Sequence, residues 1–167
     1  EDIGTYALAL DGAKRPCKVR SSNAGQLLFS GMIAAERARA VADALMAPAF
    51  FTGWGIRTIA ATEPRYNPMS YHNGSVWPHD NSLIASGLYG YGFADAGHRI
   101  AAALFAAARS EPLDRLPELY CGFAREGDAE DAPVAYPVSC SPQAWAAGAM
   151  PLLVRAMLGL RVDVATG

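Results

Sequence analysis

A chain of 167 residues that is 51% hydrophobic is long enough to bury one core and too apolar to be disordered. Its formal net charge of -2, without a run of lysines or arginines, lacks the footprint of a nucleic-acid binder and favours a neutral small molecule or oligosaccharide as ligand. No stretch of about eighteen apolar residues occurs, so no membrane partner is expected.

Alanine recurs with larger apolar residues at helical spacing and alternating strand patterns are rare, which predicts an all-α chain. Residues 6–10, with a partner at 17–20, are expected to form a small β-element. A first helix is expected over about residues 24–32, capped by Ser22 or Asn23, with Leu27, Leu28 and Met32 on its apolar side. A second spans about 34–47, with Ala38, Val41, Ala42 and Leu45 as its stripe, and Pro48 stops it.

Residues 48–80 hold four prolines and three glycines, so no long regular element passes through them. Connections this long are uncommon in compact domains and tend to build sites. The third helix is expected over about 81–91, with Asp80 as its N-cap, and Gly92 ends it. The fourth covers about 94–109. After a second long loop at 110–140, whose acidic stretch from Glu126 to Asp131 is expected to face solvent, Ser141 and Pro142 open a last helix running to about 160. Trp145, Leu152, Leu153, Met157 and Leu160 are expected to point inward from it. Helix pairs joined by short loops, with long Pro-rich loops between pairs, predict helical hairpins arranged as a toroid in one domain, 1–167.

The chemistry concentrates in Tyr71-His72-Asn73-Gly74-Ser75-Val76-Trp77-Pro78-His79-Asp80-Asn81. Aromatic faces cover the C–H side of a pyranose while amide, imidazole and carboxylate groups take its hydroxyls, so this mixture suits a sugar. Composition alone equally allows an ordered connecting loop with buried aromatics. Gly53 and Gly55 let the backbone turn so that Trp54 and Arg57 reach a pocket, the other reading being that Trp54 is a core aromatic. Glu118, between Pro117 and Leu119, sits where partial desolvation would suit a carboxylate to proton transfer; pairing with Arg115 is the structural alternative.

Other chemistries find little support. His72 and His79 lack a partner at metal-ligand spacing, so no metal and no cofactor is expected. G-x-S-x-G is absent, and Gly53-Trp54-Gly55 is an incomplete phosphate loop. Cys17, Cys121 and Cys140 form neither a disulfide framework nor a C-x-x-C pair, which points to a reducing, cytoplasmic setting.

Several strings, taken in order, resemble the C-terminal part of bacterial glycogen-debranching-type glycosidases of the amylo-α-1,6-glucosidase-like group. They are Ala9-Leu10-Asp11-Gly12, Ser22-Asn23-Ala24-Gly25, Gly53-Trp54-Gly55-Ile56-Arg57-Thr58, Tyr66-Asn67-Pro68, the segment from Tyr71 to Asp80, Arg115-Leu116-Pro117-Glu118-Leu119-Tyr120 and Ser141-Pro142-Gln143-Ala144-Trp145. The resemblance implies part of an (α/α)6 barrel and an inverting, two-carboxylate hydrolysis of α-glucosidic bonds in an oligosaccharide or α-glucan. It makes Glu118 the general base and places Tyr71, Gly74, Trp77 and Tyr120 at the sugar, with His72 and Asp80 shaping the subsite and Trp54 and Arg57 completing its wall. The family's acid is an aspartate well upstream, and Asp2 and Asp11 match it poorly. About five helices against the twelve of a full barrel, and a first residue Glu1 rather than Met, lead us to expect a C-terminal portion whose partner is the upstream part of the same barrel or a second copy. A noncatalytic carbohydrate-binding or scaffold domain is the alternative.

Overall fold

The computed structural model describes residues 3–127 and 131–160. Five helices dominate it: α1 (Asn23–Phe29), α2 (Ala35–Met46), α3 (Pro78–Gly90), α4 (Ala94–Arg109) and α5 (Ala144–Met157). The β-element is shorter than expected. β1 (Ala9–Leu10) pairs antiparallel with β2 (Pro16–Cys17), and the turn between them is held by the Asp11 carboxylate, which accepts from the amides of Ala13 and Arg15 and from the Arg15 guanidinium.

α3 is the central element, packed against α1, α4 and α5. A helix covered on several sides cannot be polar on one face, and α3 accordingly buries Ile84, Ala85 and Leu88 together with Asn81, Ser82 and Gly87. The main core joins these to Leu28 of α1, Val41 and Leu45 of α2, Ile100 and Leu104 of α4 and Leu153 of α5.

α1 crosses α3 at small residues. A Cβ on Gly87 would stand 2.4 Å from the Phe29 amide nitrogen and 2.6 Å from the Leu28 carbonyl carbon, so a larger side chain must push backbone rather than a side chain. Gly87→Ala is therefore expected to lower stability by about 1–3 kcal/mol. Urea unfolding reads this as a lower midpoint at unchanged slope. An unchanged midpoint would mean that the two helices separate freely.

Two helix starts differ from expectation. α3 begins at Pro78, which fixes its own φ and needs no amide partner, so Trp77 is the N-cap position and Asp80 lies in the first turn without capping it. α5 begins at Ala144 because the chain before it is engaged elsewhere: the Cys140 carbonyl accepts from the Glu118 amide, and Gln143 is still extended. The inward stripe of α5 is consequently Ala146, Ala149 and Leu153. Trp145, Met157 and Leu160, expected inside, are exposed at 67%, 41% and 57%. Met32 also lies outside its helix and is exposed, since α1 ends at Phe29.

The long loops are tied by single β-bridges that no alternating pattern announces. Arg57 bridges Val76, Val76 bridges Tyr120, and Tyr120 bridges Ala135, which brings four segments side by side. Buried Asn81 adds a cross-brace. Its Oδ1 accepts from the Ile56 amide at 2.6 Å while its Nδ2 donates to the carbonyls of Ile56 and Trp77. Within the acidic stretch Glu126, Gly127 and Asp131 are exposed, and residues 128–130, like Asp2, lie outside those described. No described helix is long and apolar enough to cross a membrane.

Candidate active site

The bridges place the aromatic loop opposite Glu118. The Tyr71 hydroxyl donates to Glu118 Oε1 at 2.6 Å, and the Cys140 amide donates to Oε2 at 3.3 Å. A phenol and a backbone amide hold this carboxylate in place of Arg115, which is exposed. The half-buried Glu118 keeps its orientation through a second backbone bond, its own amide donating to the Cys140 carbonyl at 2.8 Å.

Around Tyr71 the rings form a cluster of edge-to-face contacts. Their centroids lie 4.7 Å from His72, 4.9 Å from Trp77 and 5.6 Å from Tyr136. Trp77 is fixed by its indole N–H, which donates to Ser75 Oγ at 2.9 Å, while Ser75 Oγ donates to the Tyr71 carbonyl at 2.7 Å. Gly74, at φ +144, gives the loop its bend and donates its amide to Thr58 Oγ1. Sequence reasoning missed Tyr136, which arrives from the fourth bridged segment, next to Ala135, and has no local signal.

A cleft of about 410 Å³ opens beside this cluster, lined by His72, Trp77, His79 and Asp80 together with Ser22, Asn23 and Thr58. Asp80 accepts from the Gln26 side chain, which links the loop to α1. Burial pushes its carboxyl above the usual carboxylate range, opposed by hydrogen bonds from Ser22 and Gln26. Desolvation pulls the His79 imidazole down, opposed by the nearby Asp80 and Glu118 carboxylates.

The phenol of Tyr71 is pushed up to about 12, first by its hydrogen bond to Glu118, then by desolvation and the carboxylate's charge. A raised folded-state value means that the proton is held more tightly in the native state. Its contribution to stability is present below the ordinary tyrosine range, about 10, and is lost as pH rises through about 12. NMR titration of the Tyr71 ring should follow that later midpoint, and Glu118→Gln should move it back toward the ordinary range. An ordinary midpoint in the unmodified chain would remove the Tyr71–Glu118 bond from the site.

Three residues expected to line a sugar subsite are buried. Arg57 is 5% exposed, and its guanidinium donates to the carbonyls of Gly122 at 2.7 Å and of Pro48 at 2.9 Å. Its donors thus brace the loops. Trp54 is buried against Ala107, Ala108, Leu116 and Tyr120, with the Arg125 guanidinium 4.3 Å over its ring. Tyr120 is fully buried, and desolvation raises its hydroxyl, with Glu111 close enough to add to the shift without reaching hydrogen-bond geometry. Among the described residues no group of three His, Cys, Asp or Glu side chains gathers as metal ligands would.

The family profile described as the mannosylglycerate hydrolase MGH1-like glycoside hydrolase domain matches residues 4–124. The chain belongs to this family. The matched span contains Tyr71, Trp77 and Glu118 and ends before Cys140 and Trp145. No curated protein sequence matches the chain.

Among solved structures, the MGH1-like domain is similar to a GH63 mannosylglycerate hydrolase from Thermus thermophilus in complex with glucose. That match has 25% identity and a TM-score of 0.61, over 85% of this chain and 32% of the other. A GH63 mannosylglycerate hydrolase from the same organism in complex with Tris matches at 26% identity and a TM-score of 0.61, over 85% and 31%. A structure described as an uncharacterized conserved protein from that organism, at 24% identity and a TM-score of 0.65 over 85% and 32%, supports the fold alone. The chain spans about a third of the length of these relatives. The GH63 relatives are (α/α)6 barrels, and the helical hairpins described above form part of such a barrel. The glycoside hydrolase class and the six-hairpin toroid follow from these matches, at a coarser level than glycogen debranching.

Proposed function

We propose that this MGH1-like domain contributes the general base and half of the sugar subsite of an inverting glycosidase that hydrolyses α-glucosidic bonds in an oligosaccharide or α-glucan. The observation that carries the reading is the Glu118 carboxylate held by Tyr71 at 2.6 Å inside a cluster of aromatic rings. Tyr71, His72 and Trp77 are proposed to supply faces for the pyranose, with Gly74 shaping the loop and His72, Trp77 and Asp80 lining the cleft.

In the proposed reaction Glu118 takes a proton from a water molecule as the water oxygen bonds to the anomeric carbon. The bond from that carbon to the leaving oxygen breaks, and a second, protonated carboxyl gives its proton to the leaving oxygen. An inverting pair stands about 6.5–9.5 Å apart, leaving room for the water. The second carboxyl is proposed to come from the upstream part of the same barrel, whose packing would also cover the exposed Val154 and Met157 of α5 and Leu158 just after it. No cofactor is required. A cytoplasmic setting is proposed with it, supported by the three free cysteines.

One observation favours the alternative of binding without hydrolysis: both Glu118 oxygens already accept bonds from the protein. The test is a titration of the chain with glucose and maltotriose, following the indole N–H signals by NMR, alongside an α-glucoside hydrolysis assay of the chain alone and combined with the upstream barrel. Movement of the Trp77 signal, with hydrolysis only in the combined protein, supports the proposal. Sugar binding without hydrolysis in the combined protein favours the alternative, and an unmoved Trp77 signal rejects both.

A further inference from the structure

Trp145 is the large aromatic whose position departs furthest from the pattern of its helix. It sits in the first turn of α5 with 67% of its surface exposed. Its ring meets the His79 imidazole edge-on at 4.8 Å, and His79 in turn meets Trp77 edge-on at 5.6 Å. The three rings therefore make a continuous aromatic strip that starts inside the proposed sugar subsite and runs outward onto α5.

The strip is anchored at both ends. Trp77 is fixed through Ser75, and Trp145 follows a segment whose Cys140 backbone is bonded to Glu118 on both its amide and its carbonyl. Polar atoms accompany the rings. His79 Nδ1 and Gln143 Oε1, two residues before Trp145, are both buried and have no hydrogen-bond partner. Native proteins seldom leave a buried polar atom unmatched, and the unmatched imidazole nitrogen belongs to the ring that backs exposed Trp145, a pairing that suits a ligand carrying an apolar face and hydroxyl groups together. A pyranose has that combination.

We propose that Trp145, backed by His79, is the platform for a second pyranose ring of an oligosaccharide whose first ring lies against Tyr71 and Trp77. This rests on the proposed sugar subsite and deepens it by committing to a ligand of at least two sugar units. Trp145 contacts the ligand directly, and His79 is a positioning residue that sets the angle of the indole.

The test is binding of glucose and of maltotriose to the 167-residue chain, read from the indole N–H signals of Trp77 and Trp145 in the unmodified protein, in Trp145→Ala and in Trp145→Tyr. Trp145→Ala removes an exposed side chain, so the helix should persist, and circular dichroism checks this. The expected result is that maltotriose binds more tightly than glucose and moves the Trp145 signal. Trp145→Ala should then weaken maltotriose roughly tenfold while leaving glucose within about twofold, and Trp145→Tyr should restore most of the loss by restoring a flat face.

If glucose moves the Trp77 signal but maltotriose gains nothing over glucose, or Trp145→Ala leaves maltotriose affinity unchanged, the second platform is overturned and the first subsite stands. Trp145 is then a surface for the rest of the barrel. If neither sugar moves the Trp77 signal, the subsite reading fails and takes the platform with it.

Discussion

Glu118→Gln is expected to lower kcat for α-glucoside hydrolysis by roughly 10²–10⁴-fold when the domain works within a complete barrel, the range that a positioned general base contributes. The amide keeps the size of the carboxylate and loses its capacity to take a proton. Tyr71 and the Cys140 amide donate to different oxygens, and the new amide keeps both partners when its oxygen accepts from the Cys140 N–H and its NH₂ donates to the Tyr71 hydroxyl, which can also accept. Exchanging charge-assisted bonds for neutral ones is expected to cost about 1 kcal/mol, which urea unfolding would register separately from the rate. Glucose binding, read from the Trp77 indole signal, should survive because the rings remain in place. A variant with full activity would sink the assignment of the base. One that lost glucose binding as completely as activity would show that Glu118 organises the loop and that the chemistry lies elsewhere.

Gly122→Ala should damage the site through packing alone. A Cβ at this position would lie 1.7 Å from the Gly74 carbonyl oxygen, far inside contact distance and against backbone. Gly122 is also where separate segments meet: its amide donates to the Pro68 carbonyl at 2.7 Å, and its own carbonyl accepts from Arg57 at 2.7 Å and from the Tyr66 hydroxyl at 3.1 Å. The loop carrying Tyr71 would have to withdraw, breaking the bond to Glu118 along with these anchors. A loss of about 3 kcal/mol or more is expected, since no flexible side chain is available to yield. Urea unfolding measures it, and the Tyr71 ring should lose its late midpoint at about 12. Gly148→Ala is the matched control. Its Cβ would meet nothing within 4 Å on the exposed side of α5, and replacing a helical glycine should raise stability by about 0.5–1 kcal/mol. Similar behaviour of the two variants would mean that the close approach of Gly122 to Gly74 does not hold the site together.

The helices were legible because each carries a local 3.6-residue pattern. α2 and α4 fall within a residue of their expected ends, with Val41, Leu45, Ile100 and Leu104 buried as their stripes require. The candidate site drew notice for a different reason: four prolines and three glycines bar long regular structure from residues 48–80, and the aromatic and polar residues inside that span make no ordinary core. Arg57 shows where local reading stops. Its type allows either a ligand contact or a brace, and the choice depends on the Gly122 carbonyl, 65 residues away along the chain. Asp80 carried signals for both a cap and a cleft residue, and the cap was excluded once Pro78 began α3.

The sequence by itself determined the helical content, the hairpin spacing and the loops in which polar and aromatic groups collect, because periodicity, proline and glycine act over a few neighbouring residues. Only the tertiary structure decided which of those groups meet. The bridges through Val76 and Tyr120 bring Tyr71 to Glu118, the Cys140 backbone delays α5 and turns Trp145 outward, and Asn81 locks the Ile56 loop to α3. Apart from the Asn81 side chain, these are pairings between backbone groups far apart in the chain, where every residue but proline carries the same donor and acceptor, so the side-chain sequence does not record them.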